Sequence, residues 1–110
     1  MTPAEFIAKW RASPKREHQD AKPHFLDLCR LLGIEDPATA DPAHDWFTFE
    51  KGATKSTGGQ GWADVWRKGC FGWEYKSFGR PLDPAFDQLL RYAGALENPP
   101  LLIVSDIERI

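Results

Sequence analysis

The sequence predicts a mixed α/β (α+β) domain: a four-stranded mixed sheet flanked by helices, in the order ααβββαβ. Three observations carry that prediction. Apolar residues recur at helical spacing in two stretches near the N-terminus and again after Asp83, two short strand-like runs flank Lys68-Gly69-Cys70, and a continuous apolar run, Leu101 to Val104, follows the last helical stretch. Three meandering strands, a helix and a further strand imply an antiparallel meander that ends in a right-handed crossover.

Thr2 stands as an N-cap ahead of Pro3, which suits a first helical turn because its missing N–H would have no intrahelical partner. Phe6, Ile7 and Trp10 then make residues 2–12 a short amphipathic helix. After a polar stretch, Phe25, Leu28, Cys29 and Leu32 follow the i, i+3, i+4, i+7 pattern, and Gly33 offers a C-terminal stop. This second helix starts at Pro23 or, kinked there, as early as Pro14, and the spacing does not decide between the two. Residues 34–45, with two Asp-Pro pairs, read as a loop. Trp46, Thr48 and Glu50 alternate with Phe47 and Phe49 as in a strand with one buried and one mixed face. Residues 51–60, rich in Gly, Ser and Thr with two lysines, read as a mobile loop before strands at 62–67 and 71–76. Residues 77–82 form a turn, Asp83 caps and Pro84 starts a helix whose apolar arc is Phe86, Leu89, Leu90, Ala93 and Leu96, and Gln88 and Tyr92 lie one above the other on its border. Leu101 to Val104 has the apolar continuity of a strand covered on both faces, central or parallel in the sheet. The abrupt end at Ile110 suggests a fragment of something longer.

At 110 residues the chain is one domain, with 1–45 as helical lead-in and loop and 46–105 as the working core. Five Trp and seven Phe in a chain 42% hydrophobic and 27% charged exclude a disordered protein. A net charge of −2 gives no global basic signature, so contact with nucleic acid would have to be local. Cys29 and Cys70 form no paired motif, and His18, His24 and His44 lack ligand spacing, so no zinc site is assigned. With no secretory leader and no apolar run near the roughly 20 residues of a membrane helix, the chain is expected to be soluble and cytoplasmic, with no membrane partner.

Chemistry concentrates between Gly61 and Lys76, where Asp64 sits among Trp62, Val65 and Trp66, and Glu74 and Lys76 among Phe71, Trp73 and Tyr75. A two-residue turn at Lys68-Gly69 would put Asp64 opposite Trp73, on the other face from Glu74. A three-residue connection, with Gly69 in the left-handed conformation, would put Asp64 opposite Glu74. Two acids and a lysine so placed suit phosphodiester hydrolysis: hard oxygens hold Mg²⁺ (Mn²⁺ being a substitute), and the lysine orients or deprotonates the nucleophile. Glu50 is a candidate additional metal acid. Lys51, Lys55, Gly58 and Gly59 are candidates for contact with DNA phosphates through cations and bare backbone N–H groups.

Asp64, nine residues, Glu74-x-Lys76 and then Gln88-x-x-x-Tyr92 on the crossover helix together resemble the PD-(D/E)xK nuclease superfamily, in its RecB-like branch. The resemblance implies a restriction-endonuclease-like core. Across the chain, Thr-Pro-x-Glu-Phe-Ile-x-Lys-Trp-Arg at residues 2–11, the stretch from His24 to Gly33, Phe49-Glu-Lys-Gly-Ala-Thr-Lys55, Gly61-Trp-Ala-Asp-Val-Trp66, Trp73-Glu-Tyr-Lys76 and Gln88-Leu-Leu-Arg-Tyr-Ala93 look like the N-terminal nuclease region of MmeI-like (type IIL) restriction-modification enzymes. One departure is Ala63, where the superfamily label has proline.

That resemblance makes Asp64 and Glu74 metal-binding acids and Lys76 the catalytic lysine, with Gln88 and Tyr92 in support. It also implies double-stranded DNA as substrate and a parent chain with a helical spacer, an adenine-N6 methyltransferase and a target-recognition domain, and leaves open whether two modules pair for double-strand cleavage. No S-adenosylmethionine site is expected within these residues. The rival expectation is a catalytically silent nuclease fold, a DNA-binding or scaffolding module of a DNA methyltransferase polypeptide.

Overall fold

The structure, a computed structural model, describes residues 1–52 and 61–110. Along the chain run α1 (Pro3–Ala12), α2 (Glu17–Leu32), α3 (Pro37–Ala40), β1 (Phe47–Lys51), β2 (Ala63–Arg67), β3 (Phe71–Tyr75), α4 (Asp83–Arg91) and β4 (Leu101–Ser105). The strands form one mixed sheet in the order β1-β2-β3-β4; β1 to β3 are antiparallel, and β4 returns parallel to β3 after α4. The predicted order is present with one addition, the single turn α3 inside the expected loop. Asp36 caps it by accepting the Thr39 N–H at 2.9 Å, and Pro37 fills its first turn.

α1 begins with a capping box: Thr2 Oγ1 accepts the Glu5 N–H at 3.1 Å, and Glu5 accepts the Thr2 N–H at 3.4 Å. α2 takes the longer form, starting at Glu17 and continuing through Pro23. Pro23 removes one hydrogen bond to the preceding turn, but the next residues, His24, Phe25, Asp27 and Cys29, are all buried, and that packing sustains the helix. Gly33, at φ +69°, ends it.

Alternation along β3 sends Phe71, Trp73 and Tyr75 to one face of the sheet and Gly72 and Glu74 to the other. On the first face these rings join Phe47 and Val65 under Trp10 of α1 and Phe25 and Cys29 of α2. On the second, Trp66 packs with Leu89 and Leu96, and Tyr92, Leu102 and Val104 border them. Gly72 permits that approach, since a Cβ there would lie 2.9 Å from the Leu96 Cδ1.

Asp27 ties the two N-terminal helices together. Its carboxylate, almost fully buried, accepts from the Trp10 indole at 3.1 Å and from Arg30 at 2.7 Å, and pairs with Lys9. Burial alone would raise its pKa, but Lys9, with help from Trp10 and Arg30, holds it below the usual carboxylate range. Both cations are more than half exposed, so they return to water if Asp27 is removed, whereas the buried Trp10 N–H does not. Asp27→Ala is therefore expected to lose about 2 kcal/mol in urea denaturation, and Asp27→Asn, which keeps an acceptor for Trp10, less than half of that.

Three expectations need correction. Asp83 is the first residue of α4 and not its cap, because the N-cap position falls on Leu82, which makes no side-chain bond. The face of α4 on the sheet carries Ala85 and Leu89; Phe86 and Leu90, 39% and 52% exposed, lie a residue further round, and Ala93 and Leu96 belong to the turns after the helix. β4 is parallel to its neighbour but lies at the sheet edge, so Leu101 is 57% exposed and Leu102 to Val104 are half-buried. No helix among the described residues is long and apolar enough to cross a membrane.

Candidate functional site

The site is built first by the turn. β2 and β3 are joined by Lys68, Gly69 and Cys70; Gly69 has φ +71°, which suits a residue without Cβ, and the Cys70 N–H donates to the Arg67 carbonyl at 3.0 Å. The ladder pairs Arg67 with Phe71, Trp66 with Gly72 and Val65 with Trp73, so the next step puts Asp64 opposite Glu74. There the regular pairing ends, and the Tyr75 N–H donates instead to Asp64 Oδ2 at 2.7 Å. The three-residue connection is the one that convergence of the acids requires.

Glu74 is pushed up to about 9, chiefly by burial and then by its hydrogen bond to Asp64 and that group's charge; Lys76 opposes the shift and Glu17 adds to it. Glu74 therefore holds its proton at neutral pH. Lys76 follows half-buried, its backbone N–H held by the Ser105 carbonyl of β4 at 2.8 Å. The pleat puts its side chain on the same face as Glu74.

Asp64 also opens onto a cavity of about 180 Å³ between the sheet and the first half of α2. Glu50 joins Asp64 on the sheet side, Phe49, Val65 and Tyr75 form an apolar floor, and Glu17, His18, Ala21 and Lys22 supply the opposite wall. Glu50 has φ +53°, a left-handed conformation that strains a residue with a Cβ by roughly 1–2 kcal/mol, so β1 bends at the cavity. Glu17 further accepts the Ser77 hydroxyl at 3.0 Å, linking α2 to the residue after Lys76. Sequence reading missed this wall. No spacing signal marks it, because α2 meets the hairpin only through the tertiary fold.

The remaining predicted residues lie apart from the acids. Tyr92 packs on the Trp66, Leu89 and Leu96 cluster, Gln88 is half-buried on α4, and no hydrogen bond among the described residues joins either to Asp64 or Glu74. Lys51 holds its ammonium 4.1 Å from the Trp66 ring centroid. Lys55, Gly58 and Gly59 lie outside the described residues. Cys29 is buried, its thiol raised to about 11 chiefly by desolvation, and so is poorly suited to nucleophilic or ligand chemistry at neutral pH.

Among the described residues no group of three or more His, Cys, Asp and Glu side chains converges as a metal cage. Mg²⁺ needs less, since it binds through one or two carboxylates and keeps waters and substrate phosphate oxygens for the rest. Asp64 and Glu74 offer two hard oxygen donors that fit such an ion, which would replace the proton that burial and the neighbouring acid hold on Glu74. The chain matches no protein-family model, no curated protein and no solved structure.

Proposed function

We propose that this chain is a Mg²⁺-dependent DNA endonuclease module of the PD-(D/E)xK kind, the N-terminal cutting part of an MmeI-like restriction-modification polypeptide. One observation carries the reading above all: the three-residue turn sets Asp64, which lines a cavity, against Glu74, with Lys76 two residues on. Asp64 and Glu74 would hold the ion, with Glu50 nearby. When bound, it neutralises phosphate charge and lowers the pKa of an attacking water. The Tyr75 N–H fixes Oδ2 of Asp64. Lys76 is suited to orient the nucleophile and to stabilise charge developing on the phosphate. The methyltransferase and target-recognition domains of the resembled enzymes would supply sequence specificity, which nothing in this site accounts for. The test is conversion of supercoiled plasmid to nicked circles in Mg²⁺ or Mn²⁺, with EDTA expected to stop it. No conversion by the wild type, alone or in its parent polypeptide, would favour the silent scaffolding reading.

A further inference from the structure

Across the cavity from Asp64 and Glu50, the α2 wall carries Glu17 at its start and then His18 and Lys22, exposed one turn apart. An anionic strand approaching the acids needs cations that are not already neutralised. The ion pairs among the described residues engage Lys9 and Arg30 with Asp27, Lys15 with Glu108, Lys68 with Glu97, and Arg109 with Asp106. Lys22 is in none of them. Its ammonium instead lies 5.2 Å from the centroid of the Phe49 ring on the cavity floor, a contact that steadies the side chain without cancelling its charge. Other cations are likewise outside these ion pairs, but among the described residues Lys22 is the lysine or arginine that lines this cavity, in a chain that as a whole carries −2.

We propose that Lys22 and His18 take the phosphate that flanks the scissile one, so that the DNA strand crosses the cavity mouth with its backbone on α2. This rests on the nuclease reading and adds the strand's path to it. Lys22 contributes a point charge and three donors to that phosphate, and His18 contributes a ring N–H one turn away. Neither residue touches the reacting atoms. Both position the strand so that the next phosphate reaches Asp64 and Glu74.

The experiment measures binding of a fluorescently labelled duplex to the full chain by anisotropy, with Ca²⁺ in place of Mg²⁺, across a series of KCl concentrations. Losing one phosphate contact should reduce the slope of log K against log salt by about one. Lys22→Ala is expected to show that reduction with several-fold weaker binding at low salt, Lys22→Arg to restore the slope, and His18→Ala combined with Lys22→Ala to weaken binding further. Arg91→Ala, on α4 against the opposite face of the sheet, should leave the slope unchanged. Circular dichroism of each variant confirms that these exposed substitutions leave the fold intact. A wild type that binds with a clear salt slope, beside a Lys22→Ala variant with the same slope, overturns the α2 path while leaving the nuclease reading standing. A wild type with no salt-dependent binding to duplex DNA overturns both.

Discussion

Asp64→Ala and Lys76→Ala should each slow plasmid nicking in Mg²⁺ by about 100-fold or more, equivalent to roughly 3 kcal/mol of lost transition-state stabilisation. The two losses have different origins. Removing Asp64 takes away one of two facing carboxylates and also the partner of the Tyr75 N–H, so the end of β3 loses its anchor as well as its charge. Removing Lys76 leaves both acids in place but takes away a cation whose charge opposes the upward shift of Glu74. Increasing Mg²⁺ should therefore rescue Lys76→Ala poorly, because the ion site survives while the group acting on the nucleophile is gone. Gln88→Ala should fall by less than tenfold, since no hydrogen bond joins Gln88 to either acid among the described residues. Nicking by Asp64→Ala or Lys76→Ala at the wild-type rate would sink the assignment.

Without divalent cation, the protein should lose stability steadily between about pH 6.5 and 9. Glu74 titrates near 9 in the fold and near 4.5 when unfolded, so the folded state binds the extra proton in between. That contribution is complete below 4.5 and disappears as pH rises through 9. His24 acts in the opposite sense. Fully buried, with Nδ1 2.8 Å from the Tyr75 hydroxyl, it is lowered by desolvation from 6.5 to about 4, so its contribution is complete above 6.5 and lost as pH falls toward 4. Between 4.5 and 6.5 the two slopes offset each other; above 6.5 Glu74 acts alone, for a loss of up to about 3 kcal/mol by pH 9. Glu74→Gln should flatten the alkaline limb of a thermal-denaturation series. It should also remove most of the stabilisation that Mg²⁺ gives the wild type at pH 8, because the ion and the proton compete for the same oxygens. An alkaline limb identical in Glu74→Gln and wild type would show that Glu74 does not hold the titrating proton.

Much of the fold could be read locally. Thr2 and Pro3 announce α1, the alternation at Phe47 and Phe49 announces β1, and Lys68-Gly69-Cys70 sets the register of the hairpin. Each of these signals depends on a residue's own backbone preferences and those of its near neighbours. Pro23 left the start of α2 open because helix propensity scores proline as a break, while burial of His24, Phe25 and Asp27 against other elements holds the helix together across it. Phe86 and Leu90 misled because apolarity shows that a helix has a buried face but not which of its apolar residues, here Ala85 and Leu89, meet the sheet.

The same division runs through the site. Asp64, Glu74 and Lys76 converge through a period-two pleat and a three-residue turn, rules that act along the chain and can be derived from its order alone. Glu17, His18 and Lys22 reach the cavity only because α2 packs across the sheet through Phe25 and Cys29, burying apolar area from residues far apart in the chain. Hydrophobic burial is non-directional, so it leaves no spacing by which its partners could be recognised in advance. The facing acids therefore follow from local order, while the wall opposite them, with the cation that completes the cavity, follows from packing.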